Sequence, residues 1–267
     1  MKVSGKEVAE AILKKLEKSI KSKNLKPKLA IILAGNNPSS RIYVSNKIKT
    51  AKQYGIEAKL FEFSKSEKQK LLKTLDKLNK DPKVHGIIIQ YQVYEPWNFD
   101  ELIAKINPQK DVDGFLETAP YSGAAALAVW EMLTAFSLLE GFKKTENFLK
   151  GKKIVILGRG RAAGMPTIKL LANKGFKIIS IDKDTKNPTP KIKSGDVIIS
   201  ATGVKNIINN TNLKKGSYVV GVGFGDLNEE EVSKIAKLYN PNIGGIGPLT
   251  IACLLKNVVE SAKGVGN

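Results

Sequence analysis

Apolar and polar positions alternate along the first part of the chain in a way that predicts helices interleaved with buried strands. In MKVSGKEVAEAILKKLEK, Val8, Ile12, Leu13 and Leu16 form one stripe with Lys and Glu opposite, as an amphipathic helix requires. PKLAIILAG (27–35) is an unbroken apolar run closed by turn residues, the pattern of a parallel strand covered on both faces. A helix through Tyr43 and Lys47 follows, then strand-like EAKLFEF (57–63) and a Lys-rich helix over 66–80 striped by Leu71, Leu72, Leu75 and Leu78. VHGIIIQYQV (84–93) predicts a further strand, and FDELIAKI (99–106) a short helix with acids in its first turn. The alternation predicts a three-layer α/β unit with functional residues at the carboxyl ends of its strands.

The second part restarts after PYSGAAALAVWEMLTAFSLLEG, one long apolar helix suited to link two domains. KKIVILGRGRAAGMPTIKLLANKGFKIISID reads as strand, glycine turn, helix and a second strand ending at Asp182. GDVIISATG (195–203) and GSYVVGVGFG (216–225) predict two more strands, and PLTIACLLKNVVESAK (248–263) a final amphipathic helix. The expected division is 1–118 with 249–267 as one domain and 119–248 as the other.

Composition narrows the chemistry. With Cys253 the only cysteine and His85 the only histidine among 267 residues, an intrachain disulfide, multi-cysteine metal sites and histidine-based zinc clusters are excluded. His85 precedes the run GIII and reads as a residue at a strand's start, so a histidine base is not expected. The net charge of +19 admits nucleic-acid binding. The lysines, however, are spread through helices among Glu, Asp and apolar positions without interleaved aromatics, which favours solvated helix faces over a nucleic-acid surface. A basic surface would also attract an anionic substrate or a phosphate-bearing cofactor. No apolar run is long enough for a membrane span and the N-terminus lacks signal-peptide features, so a cytoplasmic protein is expected.

GRGRAAG supplies Gly158, Gly160 and Gly164 between a strand and a helix, with Asp182 closing the next strand. Small residues allow close approach of a pyrophosphate to the helix N-terminus, so a dinucleotide site is expected here. Asp182 suits the ribose 2′-hydroxyl of NAD, whereas Arg159 and Lys183 suit the 2′-phosphate of NADP. SATG, with Thr202 and Gly203, is placed on the nicotinamide-ribose side, and a plain tight turn is the alternative.

Tyr43 and Lys47 lie one helical turn apart on one face. A Tyr-x-x-x-Lys pair beside a dinucleotide motif suggests the short-chain dehydrogenases, but there the glycine motif precedes the pair, and here it follows by more than a hundred residues. The ordered series AGNNPSSRIYVSNKIKTAKQYGI, GIIIQYQV, INPQKDVDGF, GKKIVILGRGRAAGMP and IGGIGPLTIACLLKN instead resembles the methylenetetrahydrofolate dehydrogenase/cyclohydrolase family over nearly the whole chain. The resemblance implies a folate domain, a Rossmann-type domain, a cleft between them and a homodimer. It implies oxidation of 5,10-methylenetetrahydrofolate with NAD or NADP, then hydrolysis of the methenyl product to 10-formyltetrahydrofolate. Carried over, it makes Tyr43, Lys47, Gln90 and Asp113 active-site residues: Tyr43 stacks on the aminobenzoate, Asp113 accepts from the pterin edge, Lys47 handles protons and Gln90 holds Lys47. Gly244, Gly245 and Pro248 would form a loop beside the substrate, whose polyglutamate tail gives the basic surface a use. The chain departs from the family at IQYQVYEP, where VQLPLP is usual, at PYSG for PCTP and at GRG for GRS, and it is short after VVGVG. A dehydrogenase without hydrolase activity, or a nucleotide- or nucleic-acid-binding protein without either, are the alternatives.

Overall fold

The computed structural model describes residues 1–264, so the last three positions of the expected 249–267 segment lie outside the described residues. The chain begins with helix α1 (Gly5–Ser22) and strand β1 (Lys28–Leu33), followed by α2 (Pro38–Gln53), β2 (Glu57–Glu62), α3 (Lys68–Lys80), β3 (Gly86–Ile89) and α4 (Phe99–Ile103). After α5 (Ala124–Leu139) and α6 (Thr145–Leu149) come β4 (Ile154–Leu157), α7 (Gly164–Asn173), β5 (Ile178–Ile181), α8 (Pro188–Lys193) and β6 (Val197–Ser200). Then follow β7 (Tyr218–Gly221), α9 (Glu229–Ile235), β8 (Leu238–Tyr239) and α10 (Ile246–Ala262).

The chain packs as two compact units. One comprises Ala11–Ala124 and the residues from Ile251 onward; the other comprises Met1–Glu10 and Ala125–Thr250. The first ten residues, expected with the first domain, thus pack with the second. Val3 N–H donates to the Tyr239 carbonyl at 2.8 Å, and Tyr239 N–H donates to Met1 at 3.1 Å, lengthening the ladder beyond β8.

In the first unit the sheet order is β2-β1-β3, all parallel, with Ile31 of β1 between Leu60 and Ile88. β1 is buried along almost its whole length because it is central and covered on both faces. β2 is one of the two edge strands, and its Glu and Lys positions leave it largely exposed. The predicted strand over 84–93 is shorter than expected. Its ladder closes when Gln90 N–H donates to Ile32 O at 2.8 Å, and the chain then turns to place Tyr94 N–H on Ala34 O. Leu71, Leu75, Ile87, Ile89, Leu102 and Ile106 fill the core beneath. Burying each such side chain contributes roughly 1.5–3 kcal/mol.

In the second unit the order is β5-β4-β6-β7-β8, again parallel throughout. The strands GDVIISATG and GSYVVGVGFG are confirmed with shorter cores, whereas α6, α8, α9 and β8 were not anticipated; none exceeds seven residues, too few for a clear periodic signal. The expected amphipathic tail helix is instead buried on most of its surface, with Leu249, Ile251, Cys253, Leu255 and Val258 all inaccessible or nearly so. Among the described residues no helix is long and apolar enough to cross a membrane.

Candidate active site

Both sheets reverse strand order beside their first strand, and in open α/β sheets that reversal opens a crevice at the carboxyl ends. In the first unit the reversal lies between β1 and β3. Gln90 leaves the end of β3 there, and α2 leaves the loop after β1. Asn37 caps α2 by accepting from Ser39 N–H at 2.9 Å, and Pro38 occupies the first turn, where no internal donor is needed. The helix turns Ser40, Val44, Lys47 and Ala51 inward, with Tyr43 half-buried between them.

Lys47 is only 4% exposed. Its Nζ donates to Gln90 Oε1 at 3.0 Å and sits 4.8 Å from the centre of the Tyr43 ring. Gln90 Nε2 donates in turn to Tyr91 O at 2.9 Å, and the same carbonyl accepts from the Ser40 hydroxyl at 3.3 Å. The amide is thereby held with its oxygen toward the lysine. Burial lowers the Lys47 pKa, against the opposing pull of the Asp113 carboxylate. Burial likewise raises the Asp113 pKa, against the pull of Lys47. The structure therefore gathers Tyr43, Lys47, Gln90 and Asp113 into one cluster.

Asp113 is positioned by the turn that follows it. Gly114 has φ +69°, and a Cβ there would meet the main chain of Tyr121–Gly123 at 2.7–2.8 Å, so only glycine lets the two segments close. Asp111, two residues earlier, takes the structural work: at 1% exposure it accepts from Gly114 N–H at 3.1 Å and Leu116 N–H at 2.7 Å. Its burial pushes its pKa up to about 6, against the pull of those N–H groups. Asn257 of α10 adds bonds to Val112 O and Ser122 O.

The second unit carries the glycine turn at its own reversal, between β4 and β6. Gly158 has φ +89°, and a Cβ there would overlap the Ala201 carbonyl oxygen. A Cβ at Gly164 would overlap the Gly158 oxygen, whereas one at Gly160 would meet nothing within 4 Å. Two glycines thus close the turn and the third leaves open space before α7. Ala163 puts no side-chain cap on that helix. Met165 N–H donates to Gly160 O at 3.0 Å and Pro166 has no N–H, so the Gly164 N–H and the helix dipole are what this end offers a pyrophosphate. Arg159 and Asp182, whose cofactor preferences oppose one another, are paired at 3.0 Å, with Arg159 Nε also donating to Ser180 Oγ at 2.8 Å. Asp182 accepts from Thr185 as well, and these partners hold its pKa below the usual value. Lys183 is exposed. Thr202 and Gly203, the latter at φ +69°, form a tight turn after β6. These residues fit a dinucleotide.

Gly244, Gly245 and Pro248 also belong to this unit. Gly244 O accepts from Lys6 N–H at 2.9 Å, Gly245 packs against Asn240 and the Pro241 carbonyl, and Pro248 lies in the first turn of α10.

Residues 3–113 match the family model described as tetrahydrofolate dehydrogenase/cyclohydrolase, catalytic domain, and residues 133–265 match its NAD(P)-binding domain. The chain belongs to this family. Relatives named bifunctional protein FolD include one from Caldanaerobacter subterraneus subsp. tengcongensis, 32% identical over 98% of this chain and 97% of that protein. Another, from Bacillus subtilis, is 33% identical over 98% and 97%. Among solved structures, the bifunctional FolD dehydrogenase/cyclohydrolase of Campylobacter jejuni superimposes with a TM-score of 0.89 at 32% identity, covering 99% of each chain. That of Trypanosoma brucei, complexed with NADP cofactor and an inhibitor, gives 0.90 at 26% identity over 98% and 97%.

Ser40, Asp111 and Asp226 also bond within these two regions and are not among the expected site residues. Ser40 had a signal, since it lies three and seven residues before Tyr43 and Lys47 on the same helix face. Asp111 had a weaker one in DVDG. Asp226 had none, because its partners are 24 and 26 residues away.

Proposed function

We propose that this protein oxidises 5,10-methylenetetrahydrofolate to 5,10-methenyltetrahydrofolate with NAD⁺ or NADP⁺ and hydrolyses the product to 10-formyltetrahydrofolate. The observation that carries the reading is the buried Lys47 amino group, bonded to Gln90 and sharing its surroundings with Asp113. Asp113 accepts from the donor-rich edge of the pterin, and Tyr43 offers a face to the aminobenzoate. The nicotinamide cofactor supplies the hydride acceptor for the methylene C–H.

Hydrolysis falls to Lys47. Burial favours its neutral form, so the amine takes a proton from water as the water oxygen bonds to the methenyl carbon. The ammonium returns that proton to N5 as the N5–C bond breaks, and the hydroxyl proton leaves to solvent with the formyl group on N10. Gln90 keeps the Lys47 nitrogen in place through both transfers. Gly244, Gly245 and Pro248 form the loop beside the substrate.

Gly158, Gly160 and Gly164 receive the pyrophosphate, with Arg159, Asp182 and Lys183 at the adenosine ribose and Thr202 and Gly203 on the nicotinamide side. The ion pair at 3.0 Å supports NAD as the better substrate, because a 2′-phosphate would draw Arg159 away and leave Asp182 beside an anion. The net charge of +19 suits a polyglutamylated folate. A homodimer is the expected assembly, supported by the half-buried Ile178 and Ile179 on edge strand β5, and sedimentation would measure it.

The test supplies methylenetetrahydrofolate with each cofactor and follows methenyl and formyl products separately. Both products are expected. Methenyl accumulation without catalysed hydrolysis would reduce the reading to a dehydrogenase alone, and no turnover with either cofactor would sink it.

A further inference from the structure

Asp226 is completely buried in the second unit and belongs to none of the motifs that mark the cofactor site. Its carboxylate accepts from the Ser200 hydroxyl at 2.7 Å, from Thr202 N–H at 3.1 Å and from the Thr202 hydroxyl at 3.2 Å. All three donors lie at the end of β6 or just after it. Asp226 N–H donates to Gly223 O at 3.2 Å, and Asp226 O accepts from Ile208 N–H at 3.0 Å. The residue therefore fastens the segment after β7 to the turn after β6.

The contact is tight on both sides. A Cβ at Gly223 would meet Gly203 N at 2.5 Å and would overlap the Asp226 carboxylate itself. On the far side, the Ala201 oxygen abuts Gly158 of the pyrophosphate turn. The Thr202 hydroxyl also accepts from Val204 N–H at 3.1 Å, so it is committed at both ends and what Asp226 sets is the shape of the turn. A carboxylate buried this deeply is tolerated only with its acceptor sites filled, and removing it leaves buried donors without partners.

We propose that Asp226 is a positioning residue for the nicotinamide half of the cofactor, holding Ala201–Gly203 in the conformation that receives it. This rests on the assignment of that turn to the cofactor. The test compares wild type, Asp226→Ala, Asp226→Asn and Ser200→Ala by calorimetric titration with NAD⁺ and NADP⁺, by steady-state kinetics and by thermal unfolding. Asp226→Ala is expected to weaken cofactor binding and raise the cofactor KM tenfold or more, with Asp226→Asn, which keeps an acceptor oxygen, losing less. Hydrolysis of supplied methenyltetrahydrofolate, which consumes no nicotinamide, is expected to stay within twofold of wild type.

Unchanged cofactor affinity in a folded Asp226→Ala protein would overturn the proposal. So would parallel loss of both activities with a falling Tm across all variants, which marks a residue serving stability alone. If Asp226→Ala does not fold, Ser200→Ala, which removes one donor, carries the comparison with an expected two- to fivefold loss of affinity. A wild type that binds NAD⁺ without oxidising folate would defeat the proposed activity, while the affinities would still decide the role of Asp226.

Discussion

The two crevices sit at equivalent points of two parallel sheets, yet they are built from opposite materials. The first relies on side chains whose charge is set by burial: Lys47 is pushed toward neutrality, and Asp113 and Asp111 toward protonation. The second relies on main-chain shape. Gly158 and Gly164 occupy places where a Cβ would strike backbone, and its ionic pair, Arg159 with Asp182, lies near solvent. The contrast suits the roles proposed for Lys47 and for the glycine turn. Moving protons needs groups poised between two charge states, whereas holding a dinucleotide needs a fixed surface of N–H donors.

Substitution should break each side in its own way. The largest effect is expected from Lys47→Met, which should lower methenyl hydrolysis by roughly 10²–10⁴-fold while folate affinity, read by titration, changes little. Unchanged hydrolysis would remove Lys47 from the chemistry.

Asp111 gives the next effect, in stability. Its pKa in the fold rises from 3.8 to about 6, so the folded chain binds more protons than the unfolded one within that window. The contribution is present below pH 3.8, declines as pH rises and is gone above about 6, amounting to about 3 kcal/mol. Asp111→Asn should flatten stability against pH over this range in urea unfolding. An unaltered slope would assign the titration to other groups.

Gly158→Ala should cost about 1–3 kcal/mol from backbone strain and lower cofactor affinity, leaving hydrolysis of supplied methenyl compound intact. Equal loss of both activities would erase the contrast between the crevices. The smallest change is expected from Asp182→Ser, which should move preference toward NADP by about tenfold, or about 1.4 kcal/mol, read as the ratio of kcat/KM values.

How far the sequence could be read divides along the same line. The buried strands β1, β3, β4, β6 and β7 were legible because continuous apolar runs bounded by turns have few other readings. The helix carrying Tyr43 and Lys47 was legible from spacing, and the glycine turn from its place between strand and helix. What escaped were elements and residues defined by distant partners. The last helix looked amphipathic because its polar positions, such as Asn257, face buried carbonyls rather than water. Asp226 is silent for the same reason. The opposition between Arg159 and Asp182 became a partnership only once the fold brought the two strand ends together.

The division of the chain into interrupted units has a consequence for its synthesis. A ribosome that has produced residues 11–124 has made a sheet whose last covering helix does not yet exist, because Asn257, Val258 and Ser261 pack onto Val112, Gly86 and His85. The opening residues wait as well, since Val3 and Lys6 bond to Tyr239 and Gly244. The part of the protein translated early is therefore completed late, and both compact units acquire their final pieces within the same closing stretch of translation.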